Sequence, residues 1–322
     1  MVSKLFFKRI LITGATGFVG ANLTHRLLKN GATPHIILRK ESNSWRIEEA
    51  LKNLNLYHVD LEDKNGLERV IAKIKPEIIF HCACFGGYPF QCDSEKIFNV
   101  NFIGTVNLLN ACLKSGFECF VNTGSSSEYG IKVHPMQESD IVEPVSDYGI
   151  SKASAALFCQ GLAKRENLSV VTLRLFSPFG YFEDQRRLIP DVMISCLNKK
   201  TVKISSPNAV RDFIFMEDVI DAYLKAVENS AAISGEIINI SGGKQHSVKE
   251  VVKKIVDIWN EKIDIEWFSY ANPRIEPVKW QGDISKAEKK IDRRPKHTLD
   301  DGLKITAAWF EKNIELYRYL QL

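Results

Sequence analysis

Short, unbroken apolar runs alternate with stretches of helical periodicity through the first half of the chain. RILIT (9–13), HIILR (35–39), LNLYHVD (54–60), EIIFHCA (77–83), CFVNTGS (119–125) and SVVTLRLF (169–176) read as strands. Between them, residues 18–29, 67–74, 97–114 and 148–165 read as helices. Strands that are apolar on both faces belong in a parallel sheet covered by helices on each side. The pattern therefore predicts an α/β fold, a doubly wound parallel sheet, with ligands outside the carboxyl ends of its strands.

After about residue 176 the alternation breaks, and prolines recur at 178, 190, 207, 273, 277 and 295. A helical stretch at 218–228 leads to EIINI (236–240), which is expected to rejoin the sheet. The expected division is a dinucleotide-binding domain of 1–176 plus about 212–240, and a smaller C-terminal lobe of about 177–211 and 241–322.

Composition narrows the function classes. The chain has 322 residues, 45% hydrophobic and 25% charged, with a formal net charge of +4. No basic run with interleaved aromatics appears, so no nucleic-acid partner is expected. No apolar stretch reaches the ~18 residues of a membrane span, and MVSKLFFKRILITG runs straight into a strand without a secretory pattern. Seven cysteines, at 82, 84, 92, 112, 119, 159 and 196, fit no disulfide framework. A reducing cytoplasm is the expected location. His81, Cys82 and Cys84 of HCAC follow a strand that sends neighbours to opposite faces, and no second ligand pair follows, so no metal is expected.

GATGFVG follows the first strand and opens the first helix. Gly14 permits the tight turn, Gly17 lets backbone approach a pyrophosphate, and Gly20 lets helix pack on strand. The helix start then offers unpaired N–H groups and a positive dipole end. This is a Rossmann-type dinucleotide site, with Gly14, Thr16, Gly17, Phe18 and Val19 as its contacts. Where an acidic residue would take the ribose 2′-hydroxyl, the chain carries Arg39 and Lys40, then Glu41. Arg39, assisted by Arg46, suits a 2′-phosphate and favours NADP(H), with Glu41 leaving NAD(H) as the alternative. Asp60, next to Leu61, is placed to hold the adenine amino group.

DYGISK (147–152) puts Tyr148 and Lys152 one helical turn apart. Together with the glycine loop and the Ser-rich end of the fifth strand, this order of motifs resembles the extended short-chain dehydrogenase/reductases. More narrowly, the chain resembles their nucleotide-sugar epimerase/dehydratase/reductase branch, over nearly its whole length. NVNFIGTVNLLNAC (99–112), with Asn101, is similar to that branch's Asn-x-x-Gly-Thr helix. LRLFSPFG (173–180), VRDFIFMEDV (210–219), INISGG (238–243) and DISKAEKKIDRRP (283–295) match further motifs in order.

The resemblance implies a nucleotide-diphosphate sugar as substrate and Tyr148 as acid/base, with Lys152 holding the nicotinamide ribose and drawing the tyrosine pKa down. It also implies a homodimer, through a four-helix interface built from 97–114 and 148–165. A Ser at the end of strand five completes the set. Counting back from Tyr129-Gly130 selects Ser125, and aligning Glu128 with the dehydratases' glutamate selects Ser126, with Ser125 favoured. Arg211 and Arg274 match the arginines that bind the diphosphate, as guanidinium forks suit phosphate. Ser177 stands where most of the branch carries asparagine. The Asp-Glu pair of the 4,6-dehydratases is missing, and Glu128 remains as a lone acid/base. The leading expectation is an NAD(P)-dependent 4-keto-sugar reductase or C4 epimerase. The alternatives are a 4,6-dehydratase using Glu128 and, more remotely, a non-catalytic dinucleotide sensor.

Overall fold

The computed structural model describes residues 7–88, 90–259, 263–269 and 277–318. Its strands are β1 (Ile10–Thr13), β2 (His35–Leu38), β3 (Asn55–His58), β4 (Ile78–His81), β5 (Cys119–Ser125), β6 (Val170–Leu175), β7 (Ser177–Phe179), β8 (Val202–Ile204), β9 (Val210–Phe215), β10 (Ile237–Ile240), β11 (Gln245–Ser247) and β12 (Ile265–Trp267). Its principal helices are α1 (Phe18–Lys29), α2 (Lys64–Ile74), α3 (Ser94–Phe98), α4 (Gly104–Ser115), α5 (Asp147–Glu166), α6 (Leu188–Leu197), α7 (Met216–Glu228), α8 (Val248–Trp259), α9 (Ser285–Ile291) and α10 (Leu299–Asn313).

Seven strands form one parallel sheet in the order β10-β6-β5-β4-β1-β2-β3. The doubly wound fold expected from the alternation is thus present, and the run at 236–240 does rejoin the sheet, beside β6. Chain direction across the sheet reverses between β1 and β4, which opens a crevice at their carboxyl ends. Alternate residues of each strand feed opposite cores. Ile10, Ile12 and Phe80 pack with Leu23, Leu27 and Tyr223 of α1 and α7, whereas Leu11, Ile79 and Phe120 pack with Leu67, Leu108 and Leu162 of α2, α4 and α5. Each such fully buried side chain contributes roughly 1.5–3 kcal/mol. A third core, around Phe179, Met193, Phe215, Val251 and Phe310, fills the region beyond the sheet. There β7, β9 and β11 form a small sheet and β8 pairs with β12.

Local chemistry moves several boundaries. Asp63 caps α2 by accepting from the Gly66 N–H at 2.9 Å, so that helix starts at Lys64 rather than at 67. The helix expected at 97–114 is interrupted by a π-helical turn, Asn99–Ile103. Ser146 caps α5, its hydroxyl accepting from the Gly149 N–H at 3.1 Å. Asn167 ends α5 with φ 52°, a left-handed conformation that asparagine tolerates. No helix among the described residues is long and apolar enough to cross a membrane.

Candidate active site

The glycine loop lies at the switch point. Gly14 adopts φ +71°, and a Cβ there would stand 2.6 Å from the Ala83 Cα. A Cβ at Gly20 would stand 2.7 Å from the Gly14 carbonyl carbon, so strand and helix meet only because both residues lack side chains. At Gly17 the nearest atom is the Gly14 oxygen at 3.2 Å, which leaves one side of the loop open. Gly17 is also the N-cap of α1, and no side chain caps that helix. An open glycine face and an uncapped helix start fit a pyrophosphate.

Around the loop, the Thr16 carbonyl accepts from Arg46 at 3.2 Å, and Phe18 and Val19 are half-buried. Arg39 follows β2 with its side chain exposed, and Lys40 and Glu41 are exposed beside it. The Arg46 Nε donates to the Phe182 carbonyl at 2.7 Å and its guanidinium lies 4.5 Å from the Trp45 ring centroid. Those contacts pin the segment around Phe182 onto the phosphate loop. Asp60 is half-buried, and one of its carboxylate oxygens accepts from the Glu62 N–H at 3.0 Å. Leu61 is buried, and its carbonyl accepts from Asn107 at 3.0 Å.

Across the crevice, β5 ends at Ser125 and α5 begins one residue before Tyr148. Ser125 is the serine close enough to the Tyr148 hydroxyl to act on its ionisation. Ser126 is 5% exposed and Ser125 9%, so both are buried. Burial dominates the Tyr148 ionisation and raises its pKa, while the Ser125 hydroxyl and the Arg187 guanidinium pull it down. Lys152 is 1% exposed. It stands a helical turn from the tyrosine on α5.

His81 and Asn101 organise the floor of the site. The His81 ring lies 2.7 Å from the Thr13 hydroxyl and 2.8 Å from that of Thr105, and Thr105 donates to the Asn101 carbonyl at 2.6 Å. The single Thr105 proton is therefore spent, so His81 must donate from Nε2 and accept at Nδ1. Burial, then the Lys152 charge, push the His81 pKa to about 3, which keeps the ring neutral. The Asn101 side chain accepts from the Phe85 N–H at 2.8 Å and donates to the Phe85 carbonyl at 2.8 Å and to Ser151 at 2.9 Å. It thereby joins the loop after β4 to the helix that carries Tyr148 and Lys152. Neither role is visible in periodicity; the π-helical turn that aims Asn101 is a tertiary feature. Arg187 was also missed. It donates to the Gly87 carbonyl at 2.5 Å and lies 4.5 Å from the Tyr88 ring centroid. Its only sequence signal is a basic pair ahead of Leu-Ile-Pro.

Glu128 is not a free acid. It is fully buried, with one oxygen accepting from the Ser125 N–H at 2.7 Å and the other from Arg174 Nε at 2.6 Å. The carboxylate offered as a lone acid/base is thus the counter-ion of a buried arginine. Ser177 opens β7, half-buried and paired with Phe213. Arg211 lies on β9 opposite His246, with its guanidinium 5.7 Å from the Trp280 ring centroid. Arg274 lies outside the described residues. Of the cysteines, 82, 112, 119, 159 and 196 are buried, and Cys84 and Cys92 are exposed. Burial lifts the Cys82, Cys119 and Cys159 thiols to about 12.

Comparison with known proteins agrees with this architecture. The chain is 25% identical over 327 residues to UDP-glucuronate 4-epimerase of Thermodesulfobacterium geofontis, covering 97% of this chain and 99% of that one. The epimerase Mth375 of Methanothermobacter thermautotrophicus superposes with a TM-score of 0.88 at 28% identity, covering 99% of this chain and 98% of that one. UDP-glucuronic acid 4-epimerase of Bacillus cereus, solved with UDP-glucuronic acid and NAD, gives a TM-score of 0.83 at 25% identity, with 94% and 99% covered. The family model described as NAD dependent epimerase/dehydratase family matches residues 10–241. The chain belongs to that family.

Proposed function

We propose that the protein is an NAD(P)-dependent enzyme acting on a nucleotide-diphosphate sugar, as a C4 epimerase or a 4-keto-sugar reductase. The observation that supports this reading is the closeness of Tyr148, with the buried Lys152 one helical turn on, to Ser125 at the carboxyl end of β5, in a chain that also carries an open glycine loop after β1. A dinucleotide held by its pyrophosphate at that loop would supply, through its nicotinamide, hydride exchange with the sugar carbon and, when oxidised, a positive charge. Tyr148 exchanges a proton with the hydroxyl on that carbon. Burial keeps the phenol protonated in the protein alone, which suits delivery of a proton to a ketone. The buried Lys152 ammonium favours the phenolate that results. Ser125 donates to the same substrate oxygen, and Arg211 and Arg274 take the diphosphate.

A 4,6-dehydratase needs an acid/base free to reach the sugar. Both Glu128 oxygens are occupied in a fully buried pair, so we do not favour that alternative. Arg39 supports NADP(H), whereas the relative solved with NAD supports NAD(H). The test is a mass-spectrometric screen of nucleotide sugars with each cofactor. Epimer exchange or ketone reduction supports the proposal; loss of water from the sugar, or no conversion of any nucleotide sugar, overturns it.

A further inference from the structure

Glu128 and Arg174 form a deeply buried ion pair near the reacting groups, at 0% and 2% side-chain exposure. Sheet register brings them together. Arg174 stands opposite Gly124 where β5 pairs with β6, and opposite Asn239 where β6 pairs with β10. A Cβ at residue 124 would lie 2.7 Å from Glu128 Oε1, so the missing side chain makes room for the carboxylate beneath the strand. The Arg174 guanidinium lies 4.5 Å from the Tyr129 ring centroid, and the Tyr129 hydroxyl donates to Asn239 at 2.7 Å. The pair and its supports therefore tie the turn after β5 to two neighbouring strands.

That turn holds Ser125. Glu128 takes the Ser125 N–H, and the Ser125 hydroxyl oxygen accepts from the Ser127 N–H at 3.2 Å, a reciprocal capping box. With a lone pair so committed, the Ser125 O–H is left to donate outward, towards Tyr148. A buried ion pair is weak evidence of stability, since apolar substitutes of similar volume are often as stable. Its geometry here points to another use. We propose that Glu128 and Arg174 are positioning residues, which fix the Ser125 hydroxyl against the Tyr148 hydroxyl. The inference rests on the reading of those two groups as the reacting pair.

The test is turnover of UDP-glucose and UDP-glucuronate with NAD and NADP by Glu128→Met/Arg174→Leu, in the wild-type and Ser125→Ala backgrounds. The apolar pair is expected to fold and to bind cofactor within about twofold of wild type. Its kcat should fall about 10–100-fold, the cost of a misplaced catalytic group, with KM little changed. In the Ser125→Ala background the same change should cost nothing further, because its effect passes through that serine. Glu128→Gln, which keeps an oxygen for the Ser125 N–H, should lose less. Wild-type kcat in the apolar pair, losses that add fully to that of Ser125→Ala, or equal losses in Glu128→Gln would overturn the inference. Undiminished turnover by Ser125→Ala and Tyr148→Phe would instead overturn the functional reading beneath it.

Discussion

Glu183 offers a direct test of how this protein handles buried charge. It is 8% exposed, and its Oε2 has no hydrogen-bond partner. Burial pushes its pKa from 4.5 to about 8, and Asp184 adds to the rise; Arg187, the Gly180 N–H and Arg46 oppose it. The sign follows from linkage. Between pH 4.5 and about 8 the folded protein holds a proton that the unfolded chain has released, so stability falls as pH rises through that window. Below it both states are protonated, and above it the full penalty stands. Because a tenfold change in proton affinity corresponds to about 1.4 kcal/mol, the ceiling on that penalty is roughly 5 kcal/mol. Replacing the carboxyl with an amide in Glu183→Gln removes the titration. Urea unfolding of both proteins at pH 5 and pH 9 should show the variant gaining on wild type by about 2–4 kcal/mol between those pH values. A difference that stays constant with pH would refute the reasoning.

Three further outcomes are expected. Tyr148→Phe should lose turnover by about 10²–10⁴-fold while cofactor affinity measured by calorimetry stays within about twofold. Arg39→Ala should weaken NADP(H) about tenfold to a hundredfold, the worth of one charge-assisted phosphate bond, with NAD(H) unchanged; unchanged NADP(H) affinity would remove the argument for that cofactor. The side chains of Ile103, Ile150 and Leu157 are 42%, 39% and 51% exposed on the π-helical turn and α5. Light scattering should therefore give twice the 36.5 kDa of one chain, and Leu157→Glu should shift it towards the monomer.

The parts of the site that the sequence displayed are those whose requirements are local. Gly14, Gly17 and Gly20 are demanded by close backbone contacts within one strand, turn and helix. Tyr148 and Lys152 are one helical turn apart, so spacing alone aligns them. What stayed hidden depends on distant partners. The choice between Ser125 and Ser126 turns on which of them meets Tyr148, a contact between β5 and α5. Glu128 read as a free acid because Arg174, 46 residues later, becomes its neighbour only through sheet register. Arg46 read as an assistant to Arg39 because its contact with the Phe182 carbonyl, 136 residues away, exists only in the folded chain. The three-residue strands β7, β8, β11 and β12 are too short to leave a periodic signature.

The division of the thiols gives the protein a built-in handle. Five of the seven cysteines are buried, and those with raised ionisation react slowly because the thiolate is the nucleophile. Brief alkylation at neutral pH should therefore mark Cys84 and Cys92 alone. Cys84 lies close enough to Tyr148 to act on its ionisation. A fluorophore attached there would report occupancy of the reacting end of the crevice, for ligands that are never turned over, while Cys92 labelled in a Cys84→Ser background would serve as its internal reference.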